Sequence, residues 1–286
     1  NILKLGWRNQ IMNKNERLSI DLKINLDILE ELYYSNITKR GLYKVYNQEI
    51  GSYYALKVYD VNMNDVQDIE KEIISYNRNA NIINFPKIHY KFKHNDLVCI
   101  IMDWIDGKTA TNNFKIKPKD SFDIKHRINY CLEICYILQK IHQNKIIHRD
   151  LKPDNILITN SKDAKGGVSI IDFGLSALKR NLNGEGTPIF QSPEQELGIG
   201  TIGIWSDIYA LGHVFYYILH STNLSLIPND DFNGWLDFKL EHLNCDYDTR
   251  IYEQIFKGML EFNSKNRIIN LNEIIRDLKL LQRSIK

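Results

Sequence analysis

The feature that most constrains this chain is a change in its local pattern about one third of the way along. From Tyr33 to Tyr59 the text reads as short strands, Leu42–Tyr46 and Tyr53–Tyr59, and the polar Asn47-Gln48-Glu49 followed by Gly51-Ser52 marks a hairpin turn. Residues Asn64 to Asn77 fit a helix with Val66, Ile69, Ile73 and Tyr76 on one face. Two more strand-like runs follow, near Ile88–Tyr90 and Leu97–Met102, and then a polar, glycine-containing break from Asp103 to Lys108. Beyond it the chain turns helical, with Ile128, Cys131, Leu132, Cys135, Leu138 and Ile141 in register between Ile124 and His142. A β-rich third followed by a helix-rich remainder predicts an α+β fold of two unequal lobes.

The bulk numbers permit this and exclude several alternatives. The chain has 286 residues, 43% hydrophobic and 25% charged, which suffices for a full core. A net charge of +2 supplies no strong field for nucleic acid or a membrane surface. No apolar run approaches the roughly 20 residues of a membrane span, and the first residues carry no signal-peptide pattern. The chain begins with Asn1 rather than Met, which suggests that residues precede it. Cys99, Cys131, Cys135 and Cys245 form no CxxC pair, and Cys131 and Cys135 lie one helical turn apart in an apolar stretch. They read as packed thiols in a reducing, cytoplasm-like compartment. Residues 1–32 are polar and charged, and read as an extension of unknown role.

Several chemistry-bearing motifs then appear in order. Ala55-Leu56-Lys57 lies within a strand-like run, and Glu72 lies on the predicted helix with Glu70 as the alternative partner for Lys57. His148-Arg149-Asp150-Leu151-Lys152-Pro153-Asp154-Asn155 follows the long helix, and Asn155-Ile156-Leu157-Ile158 continues it. Asp172-Phe173-Gly174 follows the apolar Val168–Ile171. Gly186-Thr187-Pro188, Ser192-Pro193-Glu194, Ser206-Asp207-Ile208 and Asn266-Arg267 come later.

In this order the motifs resemble the protein kinase family, and the resemblance runs from about Tyr33 to the C-terminus. It implies a kinase domain over 33–286, a small β-rich lobe over about 33–104 and a larger helical lobe over about 105–286. It implies ATP with Mg²⁺ or Mn²⁺, and transfer of the γ-phosphoryl to Ser or Thr of a protein substrate. Asp150 would orient the hydroxyl and accept its proton, and Lys152, in the spacing of Ser/Thr kinases, would hold the γ-phosphate. Asn155 and Asp172 would bind metal, and Lys57, paired with Glu72, would grip the α- and β-phosphates. Ile37, Val45, Ala55, Met102 and Leu157 would surround the nucleotide, with Val45 covering the adenine, Leu157 beneath it and Met102 behind it. Backbone groups of Asp103 and Ile105 would bond its edge. Thr187 would contact Asp150 and Lys152, Glu194 would pair with Arg267, and Asp207 would anchor the catalytic loop.

Two departures stand out. The glycine-rich stretch reads Ile37-Thr38-Lys39-Arg40-Gly41-Leu42-Tyr43-Lys44-Val45, with one glycine, and Tyr43 falls at the third glycine position. Lys39, Arg40 and Lys44 either supply side-chain charge in its place or sit on a hairpin surface. A catalytically weak or dead kinase-fold scaffold is therefore the alternative function. The other departure is that Arg149, which usually goes with activation-loop phosphorylation, precedes a loop with Ser176 as its one hydroxyl; Asn183 takes the usual acceptor position and Glu185 lies nearby. Activity without that phosphorylation is the expectation. The abundance of Asn, Ile and Lys suits a virus, an effector-secreting bacterium or a protist, the first two implying action in a host cytoplasm.

Overall fold

Strand β3 (Arg40–Asn47) is built on strict alternation. Gly41, Tyr43, Val45 and Asn47 are buried and the residues between them are half-exposed. It returns as β4 (Ser52–Asp60) through a turn that Asn47 organises. The Asn47 side-chain oxygen accepts from the amides of Glu49 and Ile50 at 2.9 and 3.1 Å, and Gly51 takes a φ of 72°. The turn sets the register Asn47↔Ser52 and, from it, every pair along the hairpin to Arg40↔Tyr59.

The computed structural model describes residues 18–19, 25–83, 85–159, 167–174, 186–198, 200–228 and 236–286. The chain divides into two compact units. The first takes the chain to Ala80 together with Pro86–Ile105. Its antiparallel sheet adds β1 (Leu18–Ser19), β2 (Asn25–Ser35), β5 (Ile88–His94) and β6 (Leu97–Asp103) in the order β1-β2-β3-β4-β6-β5. One face carries a core of Leu26, Tyr43, Val45, Leu56, Val58, Leu97, Cys99 and Ile101. Strand β2 starts at Asn25, inside the stretch that reads as an extension. Register shifts between Ile28 and Glu30 and between Glu31 and Tyr33 break its alternation, so no strand pattern shows in the sequence. Helix α1 (Val66–Arg78) begins where the Asp65 side chain caps the amide of Gln67, and it buries Ile69, Glu72, Ile73 and Tyr76.

The second unit takes Asn81–Phe85 and Asp106–Lys286. Its short sheet has the order β7 (Gly107–Thr109), β8 (Ile156–Thr159), β9 (Val168–Ile170). After the short α2 (Ala110–Asn113), helix α3 (Ser121–Gln143) buries Ile124, Ile128, Cys131, Cys135, Leu138 and Ile141. The four-residue α4 (Pro193–Glu196) precedes α5 (Ile204–His220), which is buried on nearly every side, as a central core helix must be. Helices α6 (Thr249–Met259) and α7 (Leu271–Ser284) bury one face each. Strands β10 (Ser225–Pro228) and β11 (Leu236–Lys239) form a hairpin after α5. Among the described residues, no helix is long and apolar enough to cross a membrane.

Two buried polar features of this unit have measurable consequences. Arg267 reaches Glu194 at 2.9 and 3.1 Å, and its remaining donors go to the carbonyls of Trp205, Glu261 and Phe262. Burial alone would raise the Glu194 carboxyl, but Arg267 and the hydroxyl of Ser206 hold it below its ordinary value. Arg267→Ala strands that carboxylate and should cost about 3–5 kcal/mol, read as a lowered unfolding midpoint. His213 and His220 on α5 are both lowered to about 4 by burial. The unfolded chain binds these protons first as pH falls. Their contribution is therefore complete above about pH 6.5 and is lost progressively towards pH 4. Thermal unfolding across that window should show the loss, and His213→Leu should remove about half of the histidine-dependent part.

Candidate active site

Within the helical unit, the site is built around Asp207. This carboxylate is 1% exposed and accepts from the backbone amides of His148 and Arg149, each at 2.8 Å, and from Nε2 of His142 at 2.8 Å. Burial pushes its pKa up, yet the bonds from His142 and the loop amides outweigh that and hold it below the usual carboxylate range. The loop so anchored takes a left-handed backbone at Arg149, φ 70°. A non-glycine residue keeps that conformation only where its surroundings over-determine it. Here Gln195 donates to the carbonyl of Arg149 at 2.8 Å, and Gly186, at φ 101°, passes so close that an added Cβ would lie 3.1 Å from that oxygen.

The loop then presents a closed polar group. Lys152 Nζ donates to Asp150 Oδ2 and to Thr187 Oγ1, both at 2.8 Å, and Thr187 Oγ1 donates to Asp150 Oδ1 at 2.9 Å. Asn155 donates from Nδ2 to the Asp150 carbonyl at 2.8 Å, which turns its amide oxygen the other way. Asp172 has φ 65°, a second left-handed non-glycine residue. Phe173, fully buried beside it, packs at 4.6 Å against the ring of His148 and at 5.1 Å against Phe85. Asn155 and Asp172 offer an amide and a carboxylate oxygen, hard donors that suit Mg²⁺ or Mn²⁺. Among the described residues no cluster of three or more His, Cys, Asp or Glu could hold an ion. Two protein ligands suit a metal whose remaining ligands are phosphate oxygens and water. Leu157, half-buried, lies on β8 between Thr109 and Ser169. Ser176, Asn183 and Glu185 lie outside the described residues.

The β-rich unit contributes a second constellation. Lys57 Nζ reaches Glu72 Oε1 at 2.6 Å, and the Tyr59 hydroxyl donates to Glu72 Oε2 at 2.7 Å. Glu70 instead pairs with Lys91 near the surface. Ala55 and Met102 are buried, register partners on adjacent strands, and on the face of Lys57. The Asp103 amide donates to the carbonyl of Lys87 at 2.9 Å, and Ile105 closes the unit. Ile37, at the β2–β3 turn, is 82% exposed.

Register overturns the expectation for Val45. Directly paired residues share a face, and the pairs are Leu42↔Lys57, Lys44↔Ala55 and Val45↔Tyr54. Val45 therefore lies on the opposite face from Lys57, Ala55 and Met102, fully buried in the apolar core with Tyr43. Lys44 occupies the place expected of it, with its ammonium 4.5 Å from the Trp104 ring and 4.8 Å from that of Tyr53. Gly41 also serves the core, because an added Cβ would lie 2.6 Å from the Tyr43 ring. A one-residue offset along β3 exchanges its two faces, and family spacing alone does not detect it.

Three supporting residues escaped the sequence reading. Tyr59 shares a face with Lys57 by simple alternation, so that signal was present. His142 and Gln195 carried none, since their partners are 65 and 46 positions away along the chain.

A family model for the protein kinase domain matches residues 40–276. A CBL-interacting serine/threonine-protein kinase of Arabidopsis thaliana is 25% identical over 81% of this chain and 56% of its own length. Protein kinase 2 of Dictyostelium discoideum is 32% identical over 58% of this chain and 35% of its own. A probable serine/threonine-protein kinase of Clostridium perfringens is 26% identical over 85% of this chain and 36% of its own. The chain thus spans between about a third and a little over half of these relatives.

The register correction has a direct test. Val45→Lys forces an ammonium into the apolar face and should lower the unfolding midpoint by the equivalent of several kcal/mol. Lys44→Val loses two ring contacts and should cost about 1–2 kcal/mol.

Proposed function

We propose that this chain, which belongs to the protein kinase family, transfers the γ-phosphoryl of ATP to serine and threonine hydroxyls of protein substrates. The closed group of Asp150, Lys152 and Thr187 carries this reading. Phosphoryl transfer asks little covalent chemistry of a protein and depends on positioning and charge. Asp150 is held from two sides, so its carboxylate is fixed in orientation where it can align a hydroxyl and accept its proton. Lys152, half-exposed beside it, brings positive charge to the oxygens of the phosphoryl being transferred. Lys57, kept in place by Glu72 and Tyr59, holds the α- and β-phosphates. Asn155 and Asp172 would hold Mg²⁺ or Mn²⁺, and the metal, when bound, neutralises phosphate charge.

The Ser/Thr assignment rests on Lys152 in its spacing from Asp150, and the names of the Arabidopsis and Clostridium relatives are consistent with it. Glu194 with Arg267, an arrangement expected of protein rather than small-molecule kinases, supports a protein acceptor. Four free cysteines among the described residues suit a reducing, cytoplasm-like compartment. A non-catalytic scaffold is the second reading, and the glycine-poor β2–β3 turn favours it.

Transfer from γ-labelled ATP to peptide, protein and metabolite acceptors separates these readings. Wild type should label protein Ser or Thr, and Asp150→Ala and Asp172→Ala should each reduce the rate by at least about 100-fold. Equal signal from wild type and Asp172→Ala would remove the enzymatic reading. Labelling of metabolites alone would remove the protein acceptor.

A further inference from the structure

The turn from Ser35 to Arg40 lies where the family's glycine-rich loop is expected, yet its backbone is already committed. The amide of Thr38 donates to Ser35 Oγ at 3.1 Å and that of Lys39 to the Ser35 carbonyl at 2.9 Å. The carbonyls of both residues point towards the connection between β4 and α1. Asn64, 6% exposed, donates from Nδ2 to the Thr38 carbonyl and to the Asp60 carbonyl, each at 2.8 Å, and the Asp60 amide donates to the Lys39 carbonyl at 3.1 Å. Arg40 Nε donates to Asn64 Oδ1, and the Arg40 guanidinium lies 5.6 Å from the Tyr59 ring centre. One buried amide side chain thus joins the turn, the end of β4 and the start of α1, whose capping residue is Asp65.

We propose that Asn64 is a positioning residue for nucleotide binding, acting as a latch that holds the β2–β3 turn in one conformation in place of glycine flexibility. The proposal rests on the kinase reading of the site. Arg40 belongs to the latch and does not serve as a phosphate contact. Lys39 is held left-handed, φ 51°, a conformation that costs a non-glycine residue free energy and persists when its neighbours enforce it. Asn64 fixes the Thr38 carbonyl on one side of Lys39 and holds the Arg40 side chain on the other, while the Asp60 amide fixes the Lys39 carbonyl itself. A turn ordered beforehand need not be ordered by the ligand, so removing the latch weakens binding without touching the groups that carry out transfer. Asn64 also adjoins the cap of the helix that bears Glu72, so turn and helix are fastened through one side chain.

The test compares wild type, Asn64→Ala and Arg40→Ala by calorimetric titration with ATP-Mg, amide exchange at Thr38 and Lys39, thermal unfolding and steady-state kinetics. Asn64→Ala should speed exchange at both amides by about tenfold and raise Kd and KM for ATP by about tenfold, with kcat within about twofold of wild type. Arg40→Ala, which removes one bond of the set, should move each readout the same way by a smaller factor and keeps the test open if Asn64→Ala fails to fold. Faster exchange with unchanged affinity would overturn the positioning role, and unchanged exchange would overturn the latch itself. Wild type that binds ATP without Asp150-dependent transfer would sink the kinase reading and leave the latch to the titration. Wild type that does not bind ATP would sink both.

Discussion

Asp207 carries a full charge into the middle of the helical unit, and the candidate site of that unit is arranged around it. An uncompensated carboxylate there would be prohibitively costly. The cost is offset because three N–H donors converge on it, two from the backbone of the loop it holds and one from His142. With His148 and Arg149 pinned by their amides, the chain passes through a left-handed residue at Arg149, and Asp150 emerges within reach of Lys152 and Thr187. Gln195 secures the Arg149 carbonyl from the other side, and Gly186 leaves room for it. Removing the central carboxylate would release two backbone amides and a histidine at once, which makes this loop a cooperative unit.

The β-rich unit depends on a different constraint, the parity of strand pairing. Asn47 and Gly51 close a tight turn, and that turn decides which residues of β3 share a face with Lys57. The outcome places Leu42 and Lys44 on that face and sends Tyr43 and Val45 into the core. Lys44, lying between two aromatic rings, brings a cation to a position where the family resemblance implied an aliphatic side chain. Lys57 keeps a defined position because Glu72 is itself held by Tyr59.

These two arrangements share a physical style. Functional groups are fixed by second partners that are themselves buried or partly buried: Tyr59 behind Glu72, His142 behind Asp207, Ser206 behind Glu194. Fixed groups lose little entropy when a ligand arrives, so preorganisation stands in for flexibility. The Asn64 bonds extend the same style to the turn that lacks the usual glycines.

Much of this was legible in the sequence, for a reason that individual residues show. Lys57, Asp150, Asn155 and Asp172 lie in short contiguous motifs whose local spacing carries the signal, and the helices that flank them announce themselves by period, as in Ile124–His142. The pairing of Glu194 with Arg267 was expected from the family resemblance that those motifs carry. The strand from Asn25 was hidden by its bulges, and the supports His142, Gln195 and Asn64 were hidden because hydrogen bonding across many residues leaves no local trace. By itself, the sequence determined the fold class, the order of the motifs and the chemistry those residues can offer. Tertiary structure alone decided the facing of β3, sending Val45 to the core and Lys44 to the face of Lys57, and bound the turn to Asn64. Facing depends on pairing register, and pairing register is a relation between two strands that neither strand's own residues contain.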